Sequence, residues 1–105
     1  MRVAITSTGN TLESTLDQRF GRCAYFVIYD TETKALEFLP NPNREKEKEI
    51  GPAAVHLVAY RKATKIISGE FGIKIKPLLD SLKIQMIVLK DPKKKIGQII
   101  EMLNH

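Results

Sequence analysis

Apolar positions follow two rhythms along the chain, and their alternation lays out the fold. Short runs rich in β-branched and aromatic residues occupy Arg2 to Thr6, Ala24 to Tyr29, Ala35 to Leu39, Lys65 to Ser68 and Ile84 to Leu89. Each predicts a strand, and the near-continuous apolar run of the second predicts burial on both faces. Elsewhere the spacing lengthens. Ile75, Leu78, Leu79 and Leu82 stand at i, i+3, i+4 and i+7, and Ile96, Ile99, Ile100 and Leu103 repeat that spacing, so each set predicts a one-faced helix. Pro77 puts the start of the first of these near Lys74 to Lys76, and Pro92 begins the second, because proline is tolerated in a first helical turn. A third helix is expected from Gly51-Pro52 to about Lys62.

The polar segments punctuate these elements. Ser7-Thr8-Gly9-Asn10 is a turn signal, and Thr31 to Lys34 is short enough to close a hairpin. Thr11 to Asp17 reads equally as loop or as a single helical turn. Pro40-Asn41-Pro42-Asn43 ends the third strand, since neither proline can donate to a ladder. The alternating charges of Arg44 to Glu49 read as a solvated loop.

The order β-β-β-α-β-α-β-α implies an α/β fold, a five-stranded mixed sheet with helices on both faces. The first strand is expected beside the fourth, with the second and third antiparallel on the other flank. One edge of that sheet then gathers Ser7 to Asn10, Arg19 to Cys23, the 40–50 loop, the start of the first helix and Gly69 to Gly72. Open α/β sheets bind ligands at such strand ends.

Composition narrows the function classes. The 105 residues, 43% hydrophobic, fit a single domain over 1–105 with an ordinary soluble core. No apolar run approaches the roughly 18 residues of a membrane span, and polarity returns at Thr6, too early for a signal peptide, so a cytoplasmic protein without membrane partners is expected. The single cysteine excludes an internal disulfide, and no Cys/His array offers a closed zinc site. A formal charge of +5 favours anionic partners. Nucleic acid is not the expected one, because the lysines of 90–95 lack accompanying aromatics or a recognisable module. Catalysis is not expected either. Asp17, Asp30, Glu70, Asp80 and Asp91 are dispersed, and no nucleophile elbow, P-loop or HExxH motif occurs.

Phe20-Gly21-Arg22 ahead of an aromatic strand ending Tyr29-Asp30-Thr31-Glu32-Thr33 resembles the dinitrogenase iron–molybdenum cofactor biosynthesis family. This is the small NifX/NafY-type domain that also occurs at the C-terminus of NifB proteins. The resemblance continues through Asn41-Pro42, Gly51-Pro52-Ala53-Ala54 and the Ser68-Gly69-Glu70-Phe71-Gly72 turn, and so spans nearly the whole chain. It implies a ribonuclease-H-like, three-layer α/β/α architecture. It also implies a non-enzymatic role in binding or carrying iron–sulfur or iron–molybdenum cofactors and precursors, in exchange with metallocluster donor or acceptor proteins. The chain departs from the family in having Arg19 where His often precedes Phe-Gly-Arg, and Glu70 where a small residue is usual.

The candidate cofactor-binding residues are Arg19, Phe20, Gly21, Arg22, Cys23, Gly69 and Gly72, and the candidate metal ligands are Cys23 and His56. Cys23 as a thiolate could ligate iron, with Arg19 and Arg22 expected to lower its pKa; its plainer alternative is a small buried strand residue. His56, in the second turn of the first helix, is either a second ligand or a histidine at the core boundary. Two ligands fall short of the four cysteines of a firmly held cluster, so ligation would be labile or bridged across a homodimer. Arg19 and Arg22 could grip an anion by forked hydrogen bonds, or form surface ion pairs with Asp17 or Glu13. Gly69 and Gly72 could present free amides to an anion, or simply serve turn geometry. A metal-independent module for protein or polyanion docking is the alternative function.

Overall fold

The structure is a computed structural model and describes residues 1–45 and 48–104. Lys46 and Glu47, inside the alternating-charge segment read as a solvated loop, lie outside the described residues. Among the described residues there are five strands: β1 (Arg2–Ser7), β2 (Tyr25–Asp30), β3 (Leu36–Pro40), β4 (Ala63–Ser68) and β5 (Gln85–Val88). They form one sheet in the order β3-β2-β1-β4-β5. β1 runs antiparallel to β2 and parallel to β4, β2 and β3 form the expected hairpin, and β4 and β5 are parallel.

Three helices among the described residues cover the sheet: α1 (Ile50–Tyr60), α2 (Lys76–Ser81, entered through a 3-10 turn at Ile73–Ile75) and α3 (Ile96–Leu103). Because β1 and β2 carry apolar residues on both faces, each face of the sheet builds its own core. On one, Ala4, Phe26 and Ile28 pack with Ala54, Val55 and Val58 of α1 and Leu79 of α2. On the other, Val3, Ile5 and Val27 pack with Ile96 and Ile99 of α3 and with Leu16.

Two helix boundaries differ from the periodic reading. Pro92 does not begin α3. It occupies the second position of a turn in which Lys94 N–H donates to the Asp91 carbonyl (3.1 Å) and Lys93 N–H to Asp91 Oδ1 (3.2 Å). The helix starts at Ile96, where Lys95 N–H donates to Gln98 Oε1 at 2.9 Å. Leu82 falls outside α2. Lys83 takes the left-handed conformation (φ 57°), and Ile84 N–H returns to the Leu79 carbonyl at 2.9 Å, a Schellman ending that halts the helix before Leu82 and leaves it exposed.

Thr11 to Asp17 is irregular loop with a turn at its start. Its end is stitched to the sheet edge: Leu16 bridges to Ser7, and Asp17 N–H donates to the Thr6 carbonyl at 2.9 Å. Among the described residues no helix is long and apolar enough to cross a membrane.

Candidate functional site

The strand ends that the topology gathers form a cleft. It encloses about 550 Å³ and is walled by Arg19, Phe20, Gly21 and Arg22 on one side, Gly51 of α1 on another, and Glu70 to Ile73 opposite. It runs on, across Gly51, Gly72, Ile73 and Ile75, into a second hollow of about 590 Å³ between Glu49–Pro52 and Lys74. The floor is apolar. Phe20 is buried, stacked edge-on against Phe26 with centroids 5.7 Å apart and tilted against Phe71 at 5.4 Å, and Ile75 is buried beside it. Ile73, 90% exposed, stands on the rim.

Five of the seven candidate binding residues wall this cleft: Arg19, Phe20, Gly21, Arg22 and Gly72. Gly69 and Cys23 lie behind the wall. Gly69 is buried, and a Cβ on it would sit 2.6 Å from Gln18 Cα, so close backbone passage is what demands glycine there. A Cβ on Gly72 would meet nothing within 4 Å. Among the described residues no glycine has a positive φ, so turn strain explains neither position. Gly21 is held close by α1, its Cβ position lying 2.6 Å from Ile50 Cγ2.

The two arginines are committed differently. The Arg19 guanidinium forks onto Asp17 through Nε (3.3 Å) and NH2 (3.4 Å), while its backbone N–H donates to the same carboxylate at 2.9 Å. That partner raises the arginine's pKa above its ordinary value, first by hydrogen bonding and then by charge. Asp17 itself is buried; Arg19 remains mostly exposed. The ion-pair alternative therefore holds for Arg19, while Glu13 pairs with Lys95 instead (2.7 Å). Arg22 donates through NH1 to the Arg44 carbonyl at 3.0 Å, so that contact leaves its positive charge uncompensated.

Cys23 is fully buried, and its thiol is pushed up to about 12. Burial is the main cause and the Asp17 charge adds to it, outweighing hydrogen bonds from the Ser7 amide and the Asn41 side chain. This reverses the expectation that the neighbouring arginines activate the thiol. Their guanidiniums turn to Asp17 and to the Arg44 carbonyl, and desolvation decides the outcome. His56 is exposed on α1, whose buried positions are Ala54, Val55 and Val58. Among the described residues no three His, Cys, Asp or Glu side chains gather to hold a metal ion.

Sequence reasoning assigned no role to Asn41. It is buried one residue beyond β3, and its Nδ2 donates to the carbonyls of Gly21 (3.0 Å) and Cys23 (2.9 Å). Its place in the Pro-Asn-Pro-Asn stop and in the family's Asn-Pro motif was visible beforehand, but the stop signals a turn rather than a contact some twenty residues back.

An α/β sheet with an apolar-floored cleft at its strand ends, bordered by Arg19, Arg22 and Glu70, has the architecture in which open sheets take up ligands. The chain belongs to the family described as dinitrogenase iron-molybdenum cofactor, whose model matches residues 1–105. Its fold is similar to the apo form of the orange protein from Desulfovibrio gigas (TM-score 0.87, 28% identity, covering 95% of this chain and 83% of that one). It is also similar to a provisional NifB protein from Thermotoga (TM-score 0.81, 27% identity, 95% and 84% covered). A provisional dinitrogenase from Methanocaldococcus jannaschii shares the fold alone (TM-score 0.60, 18% identity, 98% and 90% covered). No curated protein matches the chain. Family and neighbours make this a dinitrogenase-cofactor-related protein.

Proposed function

We propose that the chain is a small, non-enzymatic carrier that holds an anionic iron–sulfur or iron–molybdenum-type cluster, or a precursor of one, transiently at the strand-end cleft. On this reading it exchanges that cargo with donor and acceptor proteins in the cytoplasm. The observation that carries the proposal is the cleft, where the guanidinium of Arg22 and the paired guanidinium of Arg19 border an apolar floor. Forked N–H donors suit a polyanion, and an apolar floor excludes the water that would otherwise screen them. The family and the apo orange protein neighbour lend support from outside the site.

The donor set does not suit tight metal ligation. Cys23 is sealed and protonated, His56 is exposed on α1, and the sequence holds no second cysteine. A grip through anion contacts releases more readily than four thiolates would, as a carrier requires. Anaerobic addition of iron and sulfide followed by desalting tests this. Wild type should retain iron, sulfide and cluster absorption. Arg19→Glu combined with Arg22→Glu should retain about ten-fold less, and Cys23→Ala should stay within about two-fold of wild type. Retention of nothing by wild type overturns the reading, and loss on Cys23→Ala alone replaces the anion grip with direct ligation after loop opening.

Metal-independent docking of a protein is a second reading, favoured by one observation, the exposure of Ile73 on the cleft rim. It predicts a partner complex that survives chelation and Cys23→Ala but is lost with Ile73→Asp.

A further inference from the structure

We propose that Asn41 is the positioning residue of the cargo cleft. On this assignment, its side-chain amide fixes the Gly21–Cys23 loop so that Arg22 borders the cleft while the thiol stays closed off behind it. The inference rests on the carrier reading for the identity of the cargo, but its geometry stands by itself. Asn41 is 5% exposed, and its side-chain amide is bonded to neighbouring loops at both ends. Its two Nδ2 hydrogens go to Gly21 O (3.0 Å) and Cys23 O (2.9 Å), with Cys23 Sγ a longer contact at 3.9 Å. Its Oδ1 accepts from Asn43 N–H (3.0 Å), and its own N–H donates to Ala24 O (3.1 Å).

Arg22 therefore sits between two carbonyls held by one side chain. From the other side, Ile50 at the start of α1 presses on Gly21, so the loop is pinched between the end of β3 and α1. Both donors of the amide are needed. Aspartate, the same shape, would set carboxylate oxygens against two carbonyl oxygens, and alanine would leave both carbonyls without a partner in a buried place.

Three measurements on Asn41→Asp and Asn41→Ala separate positioning from simple structural support. Cys23 labelling by a thiol reagent under native conditions should run at least about ten-fold faster than the variants' global unfolding, measured in denaturant, allows. The iron and sulfide needed for half-maximal cluster retention should rise about ten-fold, while the folded fraction remains above nine-tenths. In wild type, the Asn41 side-chain amide protons should exchange slowly and shift on cluster loading. Labelling that merely tracks global stability, with unchanged retention, overturns the assignment. So does wild-type exchange at the rate of a surface asparagine, which decides the matter if neither variant folds. If wild type retains no cluster, the carrier reading fails and the positioning role falls with it. Unchanged retention in a rapidly labelled variant overturns the positioning role alone.

Discussion

All three helices begin at one edge of the sheet, and the chain finishes two of those starts, α3 and α1, in opposite ways. The start of α3 is stitched shut. Ile96 N–H donates to Ser14 O (2.8 Å), Gly97 N–H to Leu12 O (2.9 Å), Leu16 N–H to Lys94 O (2.8 Å), and Lys95 pairs with Glu13. Leu16, carried by the same loop, is driven into the α3-side core. The start of α1 has none of this. Its N-cap, Glu49, lies in the left-handed region with no side-chain cap, and among the described residues no loop carbonyl receives an amide from Ile50 or Gly51. That open start forms one wall of the cleft. The 11–17 loop thus closes the α3 side of the edge, and the α1 side stays open as a wall of the cleft.

Breaking the closed side should carry the largest cost. Leu16→Ala removes a side chain 1% exposed and leaves a hole under α3, at an expected loss of about 2–5 kcal/mol in urea unfolding. Cluster retention by the fraction still folded should hardly change, since the cleft lies on the α1 side. A loss of retention without a loss of stability would show that the two sides are not independent.

The open side should show its weakness in alkali. The Cys23 thiol is raised from 9.0 to about 12, so below pH 9 both folded and unfolded chains keep the proton and the site contributes fully. Above it only the unfolded chain ionises, and stability falls by roughly 1.4 kcal/mol per pH unit until the folded value is reached. By about pH 10.5 the site should have lost about 2 kcal/mol relative to Cys23→Ala, which lacks the titration. Matched urea melts of the two proteins at neutral and alkaline pH measure that difference; parallel pH profiles would mean that the thiol is not held in a desolvated place.

Strand order and the cleft's position were legible because they follow from apolar runs and connection rules, both of which are local. What was not legible depends on long-range partners. Leu16 interrupts a polar loop with no periodicity to mark it as core. The start of α3 hinged on the Asp91 side chain turning Pro92 into a turn residue. Nearness of Arg19 and Arg22 to Cys23 in sequence suggested an activated thiol, but charge acts through space, and Asp17 and the Arg44 carbonyl take those guanidiniums. The amide of Asn41 reaches back across the sheet end, a contact that composition and periodicity do not encode.

The smallest effects distinguish two glycines that the sequence treats alike. Gly69→Ala would drive its Cβ to 2.6 Å from Gln18 Cα, where backbone must move, and should cost about 1–3 kcal/mol. Gly72 has φ −67° and ψ 139°, a conformation open to any residue, with no atom within 4 Å of the added carbon. Gly72→Ala should therefore raise stability by about 0.4–1 kcal/mol, because it narrows the unfolded ensemble without straining the folded one. Since Gly72 walls the cleft, Gly72→Leu should melt no lower than wild type and yet lower cluster retention several-fold by occupying cargo space. Full retention in Gly72→Leu would move the cargo off this wall and toward the Arg22 end of the cleft.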